Sequence, residues 1–206
     1  MSLNHSETDK SPETQDQLIS RINGEVADFF DTKPIDPCVI VYDSKEDLDK
    51  AWIIADDYKH EKAPEWLTAF ATYTTVNILS QNIMPPWGKG EYTIDGKTRF
   101  KLTLKHEFTH IYMHNINPDI PSWLNEGVAL VVADQEYGKM NLENITIELL
   151  DELHTSTTDE RLYRTGFNVV NLIKDGFGQE KIRELILIRD KDELYPELQK
   201  MFDWLK

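Results

Sequence analysis

HEFTHIYMHNINPDIPSWLNEGVA, residues 106–129, holds the two signals from which the rest of the chain is read. His106 and His110 are four residues apart, so on a helix their side chains leave nearly the same side, about 40° apart at 100° per residue. Two imidazoles placed in this way can hold one metal ion through ring nitrogens. Glu107 lies about 100° round the helix from His106, beside such an ion rather than on it. From there a carboxylate can take a proton from a metal-bound water. The plainer alternative is two solvated histidines on a helix surface.

Pro121 and Ser122 carry helix-start chemistry and place Glu126 within the first turn or two of the next helix. Fifteen residues separate His110 from Glu126, enough for one more turn, a proline-marked loop and the start of an antiparallel helix. That path brings a carboxylate back toward the histidines. Two His and one Glu make the three-ligand, open-fourth-position set of catalytic zinc sites, unlike the closed four-ligand structural kind. Taken alone, Glu126 would be a helix N-terminal acid that complements the dipole.

Working outward, 206 residues suit one domain with at most a small N-terminal appendage. A hydrophobic share of 40% is enough for a packed core. The net charge of −15 argues against nucleic acid and against an anionic membrane surface as partners. The single cysteine, Cys38, excludes an internal disulfide framework and any CxxC site. A metal would therefore be held by nitrogen and oxygen. Met1–Gln17 is polar and acidic, without the apolar stretch of a secretory signal, and residues 1–17 are expected to be disordered or frayed. No stretch approaches the length of a membrane span. The expectation is a cytoplasmic protein whose residues 18–206 form a single domain.

Along that domain, Leu18, Ile22, Val26, Phe29 and Phe30 predict a helix ending near Thr32. Cys38–Tyr42 predicts a buried strand with Cys38 as inert core, and Ser44 caps a helix running to about Asp57. Thr75–Leu79 predicts a second strand, and Asp95-Gly96 a tight turn within a Tyr92–Phe100 hairpin. That hairpin would offer a sheet edge to an extended peptide. Helices are expected near 102–115, 122–137, 145–153, 160–175, 178–189 and 193–205. The class is α+β: a small sheet in the first half packed on helices, then a mostly helical second half, with the site in a cleft between them.

His106–His110 followed by Trp123–Ala129 (WLNEGVA) resembles the gluzincin metallopeptidases, in particular the small peptidase MA-like proteins. The resemblance is specific at the two motifs and weak elsewhere from Thr75 to the C-terminus; residues 1–70 are not covered. It implies a zincin-like fold, with the small mixed sheet packed on the HExxH helix. It also implies a Zn²⁺ cofactor on His106, His110 and Glu126, a peptide or protein substrate, and peptide-bond hydrolysis by metal-bound water with Glu107 as general base. Leu162–Val170 resembles the family's tyrosine-bearing helix, which makes Tyr163 the oxyanion donor by analogy. The His-to-Glu spacing is shorter than in the aminopeptidase and thermolysin-like branches, so their substrate rules do not carry over. The alternative is a non-catalytic zinc-containing peptide-binding or regulatory domain of the same fold. A regulatory metalloprotease, suggested by the run His106, His110, His114, ranks third.

Neighbouring residues invite other roles. His114 extends the histidine stripe by a turn but stands about 6 Å further along the axis, so it is expected to be a bystander. Asp134 is expected to be a solvated helix acid rather than an orienter of a ligating histidine. Arg164 is a poorer oxyanion donor than Tyr163. Trp123 is expected to wedge the two metal helices together, and Trp52, Trp66, Trp87 and Trp204 to pack in the core or at its rim.

Overall fold

The structure, a computed structural model, describes residues 13–57, 59–88, 93–156, 159 and 161–205. The chain enters through helix α1 (Gln15–Phe29), whose Thr14 cap and Gln17 satisfy each other's backbone N–H groups in a capping box. Residues 15–17 of the expected frayed start are therefore the first turn of a helix, and residues 1–12 lie outside the described residues. Leu18, Ile22 and Val26, four apart, form the buried face of α1 against the central helix.

Strand β1 (Cys38–Tyr42) and helix α2 (Lys45–Ala55, capped by Ser44) follow. Next come β2 (Ala69–Ala71) and β3 (Thr75–Leu79). The three strands form a mixed sheet in the order β1-β3-β2, with β1 parallel and β2 antiparallel to β3. Only β3 is central, and from Val76 to Leu79 it is buried throughout. β1 is an edge strand, and for that reason Cys38, expected in the core, is exposed.

The expected Tyr92–Phe100 hairpin is not formed. Helix α3 begins at Gly96 and runs unbroken to Ile116. Asp95 is its N-cap: the carboxylate accepts from Thr98 N at 3.0 Å and from Thr98 Oγ1 at 2.8 Å. An aspartate three residues before a threonine serves a helix start as readily as a tight turn, and here the cap wins. Ile94 instead makes an isolated antiparallel bridge with Trp87, outside the expected hairpin; Tyr92 lies outside the described residues.

α3 has almost no apolar stripe because it is buried nearly all round. Phe100, Leu104, Phe108, Ile111 and Met113 point into the core on several sides, with the sheet and α1 on one flank and α4 (Ser122–Val132) on another. Asn117 ends it, fully buried, donating from Nδ2 to the carbonyls of Ile186 (2.9 Å) and Ile188 (3.2 Å). Then come α5 (Ile147–Glu152), α6 (Arg161–Phe177), α7 (Gln179–Leu187) and α8 (Lys191–Leu205). Among the described residues, no helix is long and apolar enough to cross a membrane.

The closest helix crossing is α4 on α6. A Cβ on Gly127 would overlap the Gly166 carbonyl, and one on Gly166 would overlap the Trp123 carbonyl. Trp123 itself is fully buried in the core. Gly166→Ala should push the two helices apart and lower stability by about 1–3 kcal/mol. Gly24→Ala is the control: it lies inside α1 with open space around it. That change should stabilise by about 0.5–1 kcal/mol through helix propensity. Denaturant unfolding of the two variants against the parent checks both signs.

Candidate metal centre

One face of α3 lines a cleft of about 590 Å³. Thr103, His106, Glu107, His110 and His114 form its floor, Asn125 and Glu126 approach from α4, and residues 67–71 of the β2 region form a wall. The cleft lies where the sheet-bearing half meets the helical half. The turn between α3 and α4 reverses the chain through Pro118 and Pro121 and so delivers Glu126 to the two histidines, as the spacing predicts.

His106 Nε2 and His110 Nε2 stand 3.0 Å apart, and Glu126 Oε2 lies 3.3 Å from the first and 3.8 Å from the second. Three ligands on one tetrahedral ion, each at roughly 2.0–2.1 Å, would be about 3.3–3.4 Å from one another. The observed triangle matches that size. Glu126 Oε2 is buried and takes no hydrogen bond. His110 donates from Nδ1 to Asn125 Oδ1 at 3.0 Å, which leaves its Nε2 lone pair aimed at the carboxylate. Such a convergence of electron-rich atoms is satisfied by a proton on an imidazole or by a metal ion, which could meet all three at once. The three residues are a possible metal-binding triad.

The two carboxylates are driven in opposite directions. Burial pushes Glu126 up, but His110 and His106 outweigh it and hold the group below its ordinary value. Glu107 does not belong to the triad. Burial pushes its carboxyl up to about 7, the charge of Glu126 adds to the rise, and His110 and the Ala71 backbone N–H oppose it. That Ala71 N–H ties Glu107 to strand β2.

Tyr163, on α6, lines the same cleft. Burial and then the nearby Glu126 push its phenol far above the ordinary range, so it stays a neutral hydroxyl. Its ring stacks on Tyr137, with centroids 5.9 Å apart. Arg164 is directed elsewhere: it donates from Nε to Gly138 O at 3.0 Å and also to Lys139 O. With Asn168, which donates to Gly138 O and accepts from Met140 N, it pins the loop that carries Tyr137. Asp134 is exposed, ends the α4 turn with φ 54°, and pairs with Lys105 at 3.3 Å. His114 lines the cleft but stands outside the triad, its ring edge-on to Tyr73.

Two participants escaped the sequence reading. Asn125 sits directly before the ligand it supports, and its signal lay in the WLNEGVA run itself. Tyr137 comes from a loop whose position depends on Arg164 and Asn168, contacts that span 25–30 residues and leave no local pattern.

His110→Ala should remove most bound metal, and Asn125→Ala should weaken binding about 10- to 100-fold by freeing the imidazole it orients. Equilibrium dialysis with elemental analysis reads both. Glu107 also predicts a pH effect in metal-free protein. Folded, it keeps its proton up to about pH 7; unfolded, it ionises near its ordinary value of 4.5. The folded state thus binds more protons across that window, so its contribution to stability falls as pH rises from about 4.5 to about 7. Glu107→Gln should remove that slope from a thermal-unfolding series measured in chelator. No family model, curated protein or solved structure matches the chain.

Proposed function

We propose that the chain is a zinc-dependent metallopeptidase of gluzincin type and zincin-like fold, acting on a peptide or protein substrate. The observation that carries this reading is one arrangement: three inward-facing ligand atoms forming a triangle of metal-site size, with a fourth, unligated carboxylate buried beside them. A purely structural metal site has no use for Glu107. Nitrogen and oxygen ligands numbering three suit catalytic zinc. Zinc on this triad would supply an acidified water and a positive charge beside the scissile carbonyl.

The chain's own groups do the remaining work. Glu107 accepts the proton of the attacking water and returns it to the leaving amine. Its neighbourhood suits the task, since a carboxyl held near 7 by burial is drawn into its ionised form once positive charge sits on the adjacent ligands. Tyr163, kept neutral, donates its hydroxyl proton in a hydrogen bond to the oxyanion that develops on the substrate.

β2 supplies a place for the substrate backbone. Thr72 N donates to Thr75 O and Leu79 N to Thr68 O, so residues 68, 70 and 72 face β3. Ala69 then directs its N–H and carbonyl to the open edge and Ala71 its carbonyl, the Ala71 N–H being taken by Glu107, and both residues line the cleft. An extended peptide laid on this edge would pair with β2 rather than with the hairpin expected from the sequence.

Digestion of a mixed peptide library, read by mass spectrometry, tests the reading. Wild type should cleave, and Glu107→Gln should keep its zinc while losing hydrolysis. Tyr163→Phe should lower kcat about 10²- to 10³-fold, with a smaller change in KM, through loss of one oxyanion donor. Zinc-loaded wild type that cleaves nothing in the library would leave a binding module instead of an enzyme.

A further inference from the structure

The charges lining the cleft do not reflect the composition of the chain. With a net charge of −15, the protein would be expected to present acids to whatever enters. The ionised groups of the lining, histidines aside, are Glu107 and Glu126 at the metal centre and one arginine, Arg99. Arg99 lies on α3 seven residues before His106, two turns back on the same helix face, with Thr103 between them on the cleft floor. That offset puts its Cα about 10 Å from that of His106, the nearer of the two histidines, along the helix axis.

Arg99 has no acidic partner among the described residues. It donates from Nη1 to Pro85 O at 3.2 Å and from Nη2 to Thr68 Oγ1 at 3.4 Å, both uncharged acceptors. Half-buried beside the phenol of Tyr137, its guanidinium is pushed below its usual value by desolvation, yet an arginine stays charged at any physiological pH. Among the described residues, a partly desolvated cation thus lines the cleft with no acidic side chain paired to it. Two hydrogen bonds to neutral acceptors offset only part of the desolvation of such a group, and an anion would offset more. Trp87, Tyr137 and Tyr163 form an aromatic wall in mutual contact, at 6.0 and 5.9 Å between centroids, which also lines the cleft.

We infer that Arg99 is a specificity residue that binds a carboxylate of the substrate two to three residues from the scissile bond. The spacing follows from the chain: an extended peptide rises about 3.3 Å per residue, so about 10 Å is about three residues. The carboxylate is either an acidic side chain or the free α-carboxylate of a chain end; guanidinium recognition is the same for both. This inference rests on the metallopeptidase reading above, since the distance is counted from the metal centre.

The test uses zinc-loaded full chain and two measurements. In the first, fluorescence-quenched peptides carry Glu or Gln at each of three positions on either side of the cleaved bond, with a free or an amidated C-terminus. One Glu position, or the free terminus, should raise kcat/KM about 10- to 100-fold over its neutral counterpart. The position identifies the source of the carboxylate. That ratio should fall to about one in Arg99→Gln, and Arg99→Glu should invert it toward Lys-bearing peptides. In the second, binding replaces turnover: a peptide hydroxamate with a carboxylate three residues from the chelating group is compared with its amide twin by calorimetry. The acid should bind about 10- to 100-fold more tightly to wild type and equally with its twin to Arg99→Gln. Equal affinities in wild type, or a preference that survives in both Arg99 variants, overturns the role of Arg99 and leaves the metallopeptidase intact. A chain that binds neither hydroxamate overturns the metal centre, and the inference falls with it.

Discussion

The crossing of α4 on α6 at Gly127 and Gly166 is the contact on which the rest of the site depends. Neither glycine has room for a Cβ, so the two helices meet backbone to backbone. Glu126 is the residue before one of these glycines, and Tyr163 stands three before the other. The distance between Glu126 and Tyr163 is thus set by main-chain contact, which has few rotamers to adjust. Each glycine costs about 1 kcal/mol in helix propensity, and the close packing offsets that cost.

The cleft drives three ionisable side chains to three different protonation preferences by surroundings alone. Glu126 is ionised because two imidazoles face it. Glu107, on α3 beside His106 and more deeply buried, is pushed up to about 7 by that burial. Tyr163 keeps its proton because burial, and then the nearby Glu126, disfavour the phenolate. Groups with opposite shifts in one cavity mark acid–base machinery more specifically than any single perturbed group does.

Much of this was legible before any coordinates. The bounds of β1 and β3 and the first residue of α4 follow from apolar runs and from proline-serine punctuation. The metal triad follows from i, i+4 geometry and one loop length. What stayed hidden has identifiable causes. β2 is only Ala-Phe-Ala, too short to alternate visibly, and it is a strand because β3 pairs with it. Asp95-Gly96 carries two meanings, turn and cap, and the choice lies with Thr98 and with Met84, whose backbone packs where a Gly96 side chain would be. Cys38 is apolar by type but sits on a sheet edge. Arg99 falls inside the stretch read as a hairpin, and its uncharged partners, Pro85 O and Thr68 Oγ1, are distant in sequence.

The buried Asn117 has a mechanical consequence. Its amide joins the turn between the two metal-bearing helices to the last carbonyls of α7, some 70 residues downstream. Ser122 N, at the start of α4, is likewise held by His154 O. The reach from His110 to Glu126 is therefore braced from behind by segments that never touch the cleft. A load or a binding event that drew α7 outward would slacken that brace and open the ligand triangle from its rear, without disturbing any residue on its floor.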